Sequence, residues 1–151
     1  MNKVIKLLGL IFIFLINNQV IAAETHTVKM LNMGKSGSMV FEPSFIQIKA
    51  GDSINFVGKD GGHNAVKVSG PAGSKHFDTQ YKPSTLVKFD VNGLYLYQCT
   101  PHAMMAMAGI IQVADANNKA EIKKEIDKFE TNVMVPNVKK RISDLFKNNV
   151  K

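Results

Sequence analysis

Nine residues, Cys99-Thr100-Pro101-His102-Ala103-Met104-Met105-Ala106-Met107, constrain this chain more than any other stretch. They hold its only cysteine, one of its four histidines and three of its eight methionines. A thiolate and an imidazole this close in sequence can turn inward from one tight loop, while a thioether a few residues on approaches from another side. Soft and borderline donors at that density predict a metal site. The set suits copper in a trigonal plane of two His and one Cys, with a long, weak axial Met. One histidine is missing from the loop, and His63 in Gly62-His63-Asn64 is the candidate, at the mouth of a short β-like run.

The compartment sharpens this reading. Residues 1–23 have the pattern of a secretory signal: basic Lys3 and Lys6, an apolar run from Leu7 to Ile16, and small Ala22 and Ala23 before a cleavage point. The run is too short to span a bilayer, which takes about 20 residues. The mature chain is therefore expected to begin near Glu24, in a periplasm or outside the cell, with residues 24–151 as a single domain and no membrane attachment. Loss of Lys3 and Lys6 lowers the net charge from +7 to +5, which favours acidic partners without specifying one. A lone cysteine in an oxidising compartment has no internal disulfide partner, and ligation to a metal protects it. An inert buried thiol is the ordinary alternative, weakened by the neighbouring His102 and Met107.

Alternating apolar residues separated by Gly and Pro turns predict strands near 25–31, 39–43, 45–49, 53–57, 63–68, 85–90, 94–98 and 109–113. In the sixth, Leu86 and the Val87/Phe89 face are expected to be buried. Short strands in that number point to a β-sandwich or barrel. After Ala114 the pattern changes. Ile122, Ile126, Phe129 and Val133 form a helical stripe, and Val138, Ile142, Leu145 and Phe146 form a second, with Pro136 suited to its first turn. Both helices are expected within 116–148. Lys119, Lys123, Lys124, Lys139, Lys140 and Arg141 read as a solvated face, and the interspersed Glu121, Glu125 and Asp127 argue against nucleic-acid binding.

Five segments carry a family resemblance: Met39-Val40-Phe41-Glu42-Pro43, Gly51-Asp52 before a strand, Gly62-His63-Asn64, Cys99-Thr100-Pro101-His102 and Met105-Ala106-Met107. With the two C-terminal helices, they make residues 24–151 resemble the pseudoazurins, small periplasmic cupredoxins. The resemblance implies an eight-stranded Greek-key sandwich with C-terminal helices. It also implies one type 1 copper, cycling between Cu(II) and Cu(I), held by His63, Cys99, His102 and Met107. Function would be electron transfer without catalysis, from a cytochrome-type donor to copper nitrite reductase or a similar respiratory acceptor, by a monomer. One departure is local: Ala103-Met104-Met105-Ala106 fill the loop where the family carries an aromatic residue and glycines. Met107 is taken as axial over Met104 and Met105 on spacing.

Neighbouring residues have expected roles of their own. Asn64 can tie the His63 loop to Thr100, with its backbone N–H reaching the Cys99 sulfur. Pro101 lacks an N–H, which leaves more negative charge on the thiolate, and it also stiffens the loop. His102 is expected to expose a ring edge among Pro101, Ala103, Met104 and Met105, an apolar face suited to brief docking, with Met39 beside it. Lys35, Lys59, Lys75 and Lys82 lie in loops that would ring this face and steer a redox partner with an acidic surface. His26 and His76 have no ligand partner at a diagnostic spacing, and Met30, Met33 and Met134 read as packing residues. Three other functions compete: a periplasmic Cu(I) carrier using the clustered methionines, a hydrolase with Cys99 as nucleophile and His63 or His102 as base, and a zinc site.

Overall fold

The computed structural model describes residues 22–151, so the expected signal, residues 1–23, lies almost wholly outside the described part. Eight strands run β1 (Thr25–Gly34), β2 (Gly37–Glu42), β3 (Phe45–Ile48), β4 (Ser53–Gly58), β5 (Val66–Ser69), β6 (Ser84–Lys88), β7 (Gly93–Gln98) and β8 (Ala108–Val113). Two helices follow, α1 (Lys119–Thr131) and α2 (Arg141–Asn149). The strands form two four-stranded sheets, ordered β2-β1-β4-β6 and β3-β8-β7-β5. The expected eight-stranded sandwich with C-terminal helices is what the chain forms. Among the described residues no helix is long and apolar enough to cross a membrane.

Strand periodicity explains the layering. On β7, Tyr95 and Tyr97 point between the sheets with Phe41, Phe56, Ile111 and Val113. Leu94 and Leu96 point the other way and, with Ile110, meet Ile122, Ile126, Phe129 and Ile142 of the helices. Side chains two apart share a strand face, so a strand covered on both sides reads as a continuous apolar run. Two side chains fasten the helices. Asn118 accepts from the Leu94 N–H at 2.7 Å and donates to the Leu94 carbonyl at 3.0 Å, holding the start of α1 to β7. Buried Glu130 accepts from the Ser143 N–H (2.9 Å) and hydroxyl (2.6 Å), serving as a borrowed cap for α2.

Several local expectations are corrected. Residues 63–65 do not join β5, because His63 meets Asn32 of β1 while Asn64 and Ala65 bond to Thr100 and Thr79 instead of a ladder. Leu86 is 62 % exposed, and the inward face of β6 is that of Val87. Pro136 opens a separate 3-10 turn, Pro136–Val138, and α2 begins only at Arg141. Met33 and Met134 project into solvent while Met30 is core, so the packing role holds for Met30 alone.

The pole opposite Cys99 is tied by Asp52. Its buried carboxylate accepts from the Glu24 N–H (2.8 Å), the Lys49 N–H (2.9 Å) and His26 Nε2 (3.1 Å). These donors, the Glu24 amide foremost, lower its pKa from the usual 3.8 to about 2. A carboxyl with a depressed folded pKa contributes stability above its unfolded value and loses it as the pH falls through the folded one. Denaturant titrations should therefore show about 2 kcal/mol lost as the pH falls from about 4 to about 2. The Asp52→Asn variant should lack that part of the acid limb, and an identical limb in both proteins would refute the assignment.

Candidate metal centre

Strand pairing brings the donors together. β7 delivers Cys99 and β8 leads back from Met107, in the register Gln98 to Ala108 and Tyr97 to Gly109. The Cys99 N–H donates to the Met107 carbonyl at 2.9 Å, closing the loop at its base. Between them Thr100–Met105 form two short 3-10 turns that meet in a kink at His102 (φ −115°, ψ 16°), with Pro101 in the first positions, where a missing N–H costs nothing. The turn ends at Ala106, a left-handed residue with φ 58°. The Met107 N–H then returns to the His102 carbonyl at 3.2 Å.

Three donor atoms converge beneath this turn. The Cys99 Sγ lies 3.4 Å from His102 Nδ1 and 3.7 Å from His63 Nδ1, and the two Nδ1 atoms are 3.1 Å apart. Donors placed about 2.0–2.3 Å from one ion in a trigonal plane stand about 3.5–3.8 Å from each other. The observed triangle has nearly that size, and its soft thiolate with two imidazoles suits copper. Met107 is fully buried in the same inter-sheet cluster as Cys99. Cys99 and His63 are buried, whereas His102 is partly exposed.

Surrounding groups set the protonation and orientation of the donors. Burial, and then the neighbouring His102, push the His63 pKa down, which favours the neutral ring a metal requires. His63 Nε2 meets Asn32 Oδ1 at 3.0 Å, which orients the ring with Nδ1 inward. Asn32 in turn receives support, its N–H donating to Asp60 Oδ2 at 2.6 Å. Burial raises the Cys99 pKa, while the backbone N–H groups of Asn64 and His102 act in the opposite direction by favouring the thiolate. Asn64 bridges the loops as expected: its Nδ2 donates to Thr100 Oγ1 at 3.2 Å and its Oδ1 accepts from the Thr100 N–H at 2.8 Å.

Pro101 and Met104 are exposed, and Ala103 and Met105 partly so, around the His102 ring. Lys35, Lys59 and Lys82 are exposed at the loops that end β1, follow β4 and precede β6, all at this pole. Lys75 is not gathered there. It stands between β5 and β6, two residues before Phe77, whose carbonyl accepts from the N–H of Lys67 beside Tyr97 of β7, and it lines a cleft with Val87 and Tyr95. Met39 packs against the inter-sheet core with an unusual positive φ of 49°. Sequence reasoning missed Asn32 and misplaced Arg141, which turns inward to backbone carbonyls rather than standing on a solvated face.

A two-sheet sandwich with a Cys, two His and a buried Met at one pole defines a cupredoxin, a small copper protein. The sequence model described as "Copper binding proteins, plastocyanin/azurin family" matches residues 28–114. The chain is 40% identical over 107 residues to the pseudoazurin of Methylorubrum extorquens, covering 70% of this chain and 72% of that protein. It is 47% identical over 96 residues to the pseudoazurin of Paracoccus pantotrophus, covering 62% and 66% respectively. The crystal structure of the Methylobacterium extorquens AM1 pseudoazurin superposes with a TM-score of 0.67 at 34% identity, covering 82% of this chain and 98% of that one. The chain belongs to the plastocyanin/azurin family of copper-binding proteins, and within it to the pseudoazurins. Its cofactor is copper, and it is an electron carrier rather than an enzyme.

Proposed function

We propose that the mature chain, beginning near Glu24, is a periplasmic shuttle. It passes single electrons from a cytochrome-type donor to copper nitrite reductase or a similar respiratory acceptor, with His63, Cys99, His102 and Met107 as its metal ligands. The observation that carries this reading is the convergence of Cys99 Sγ and two imidazole Nδ1 atoms within 3.1–3.7 Å, directly below a partly exposed His102. Copper bound there supplies a one-electron couple between Cu(II) and Cu(I).

The chain's own contribution is to keep the donors still. Cys99 and Met107 are fixed by the paired strands beneath them, His63 by Asn32, and the two loops to each other by Asn64 and Thr100. A site that holds one geometry for both oxidation states reorganises little on each transfer. Burial of Cys99, His63 and Met107 excludes water from the donors, and it does not favour the open, exchangeable site that a Cu(I) carrier needs. His102 offers the shortest route outward, through a ring edge framed by small and flexible apolar side chains. Such a face docks weakly and releases quickly.

A visible spectrum of the purified protein with Cu(II), repeated after ascorbate, tests the function. An intense band that bleaches on reduction and returns on oxidation is expected. Absence of the band, with tight Cu(I) binding, would replace the shuttle by the carrier. Steering is tested separately. If Lys35, Lys59 and Lys82 guide an acidic partner, the association rate measured by stopped flow should fall steeply as salt shortens the screening length from about 10 Å at 0.1 M toward about 3 Å at 1 M. A flat salt dependence would remove the lysine ring.

A further inference from the structure

The first residue of α2, Arg141, is partly buried against the sandwich instead of facing solvent. Burial lowers its pKa, and among the described residues no carboxylate pairs with it. Its Nη1 faces three backbone carbonyls, those of Ser38 (3.2 Å), Met39 (3.2 Å) and Met105 (3.4 Å). A guanidinium presents several donors in a rigid fork, so it can hold groups from two segments in one fixed relation. Here the segments are the start of β2 and the metal loop.

The position of Met105 gives this contact its meaning. It lies between His102 and Met107, next to left-handed Ala106. The turn that carries it is held from within by two short-range bonds, Ala106 N–H to Ala103 carbonyl (2.9 Å) and Met107 N–H to His102 carbonyl (3.2 Å). The carbonyl just before, that of Met104, accepts from the Met134 N–H at 2.9 Å, in the segment between α1 and α2. The C-terminal arm therefore grips two consecutive carbonyls of the loop. One grip is a backbone amide and the other a charged side chain that also holds the Met39 carbonyl of β2.

We infer that Arg141 is a positioning residue for the metal centre: it fixes the 102–107 turn, and with it the exposed imidazole and the thioether, against relaxation. This rests on the ligand assignment proposed above. The helical arm then acts on the site as well as covering β7 and β8.

Two variants test it. Arg141→Met keeps an unbranched apolar stem and removes every donor, while Arg141→Lys keeps the charge but not the fork. In the metal-free protein, amide exchange at Ala106 and Met107 should accelerate in both variants while the β4 amides stay unchanged. In the copper-loaded protein, Arg141→Met should shift the visible and EPR signatures and the reduction potential. It should also release copper to a chelator about tenfold faster or more, with Arg141→Lys in between. A variant that melts earlier yet keeps the spectrum, potential, copper release and those two amides of the parent would reduce Arg141 to a helix anchor. If Arg141→Met does not fold, Arg141→Lys decides on the same readouts. Failure of the ligand assignment would show instead as no blue band in the parent protein, and the amide exchange would still report whether Arg141 holds the loop.

Discussion

Replacing Cys99 with Ser is expected to abolish the intense visible band of the copper-loaded protein and its ability to carry electrons, while leaving the sandwich folded. The side chain is fully buried, with its sulfur 3.4 Å and 3.7 Å from two imidazole nitrogens. A serine hydroxyl fits the same volume and can donate to either ring, so no orphaned polar atom is left in the core. It does not ionise near neutral pH, and it is a harder ligand than a thiolate, so the soft donor that favours Cu(I) is gone. Copper release to a chelator should accelerate by more than the 10–100-fold that loss of an outer partner typically costs. The far-ultraviolet circular dichroism and denaturation midpoint of the metal-free variant should stay close to those of the parent. A Cys99→Ser protein that keeps the band would show that the colour does not come from this sulfur, and the ligand set would have to be rebuilt without it.

That prediction draws on the part of the chain that sequence made legible. Cys99, His102 and Met107 fall within nine residues, so local spacing alone carries their convergence. His63 was found because it stands at the junction of a glycine-rich loop and a short apolar run. Asn32 had no such signal. It sits on β1, separated from His63 by 31 positions, and only the parallel pairing of β1 with β4 brings its end of the strand to the loop that follows β4. Arg141 was hidden differently, among lysines on an amphipathic helix, where composition says solvent. Its direction follows the three backbone carbonyls that tertiary packing brings within reach of its guanidinium. Lys75 looked like Lys35, Lys59 and Lys82 because all four stand in loops, and nothing in a loop sequence says which pole it reaches. The sandwich itself was legible from strand alternation. The exceptions lay where partners outside a ladder take the hydrogen bonds, as at His63-Asn64-Ala65.

The largest stability loss from a single methyl is expected at Gly109. In the β7–β8 register Gly109 stands directly opposite Tyr97, whose ring lies over it in the core. A Cβ built on Gly109 would collide with the Tyr97 phenol oxygen and ring carbon and come within 2.8 Å of the Ser44 carbonyl. The tyrosine has little room to give way. Its ring is fully buried and packs against Phe41 and Phe56 at centroid distances of 4.6 Å and 5.3 Å. The Ser44 carbonyl is equally committed, accepting the Ile110 N–H at 2.8 Å where β3 joins β8. Gly109→Ala must then push apart the strands that carry Cys99 and Met107, because these two residues end and begin the pair Tyr97 and Gly109 belong to. Overpacking of this kind costs about 3 kcal/mol or more when the obstructing atoms include backbone. Denaturant unfolding should show that loss in the metal-free protein. The copper-loaded variant should have a shifted visible spectrum, since the base of the metal loop moves with the strands. A variant within about 1 kcal/mol of the parent would mean that Tyr97 swings aside freely, and a core that yields so easily would not be the rigid frame the metal site is argued to need.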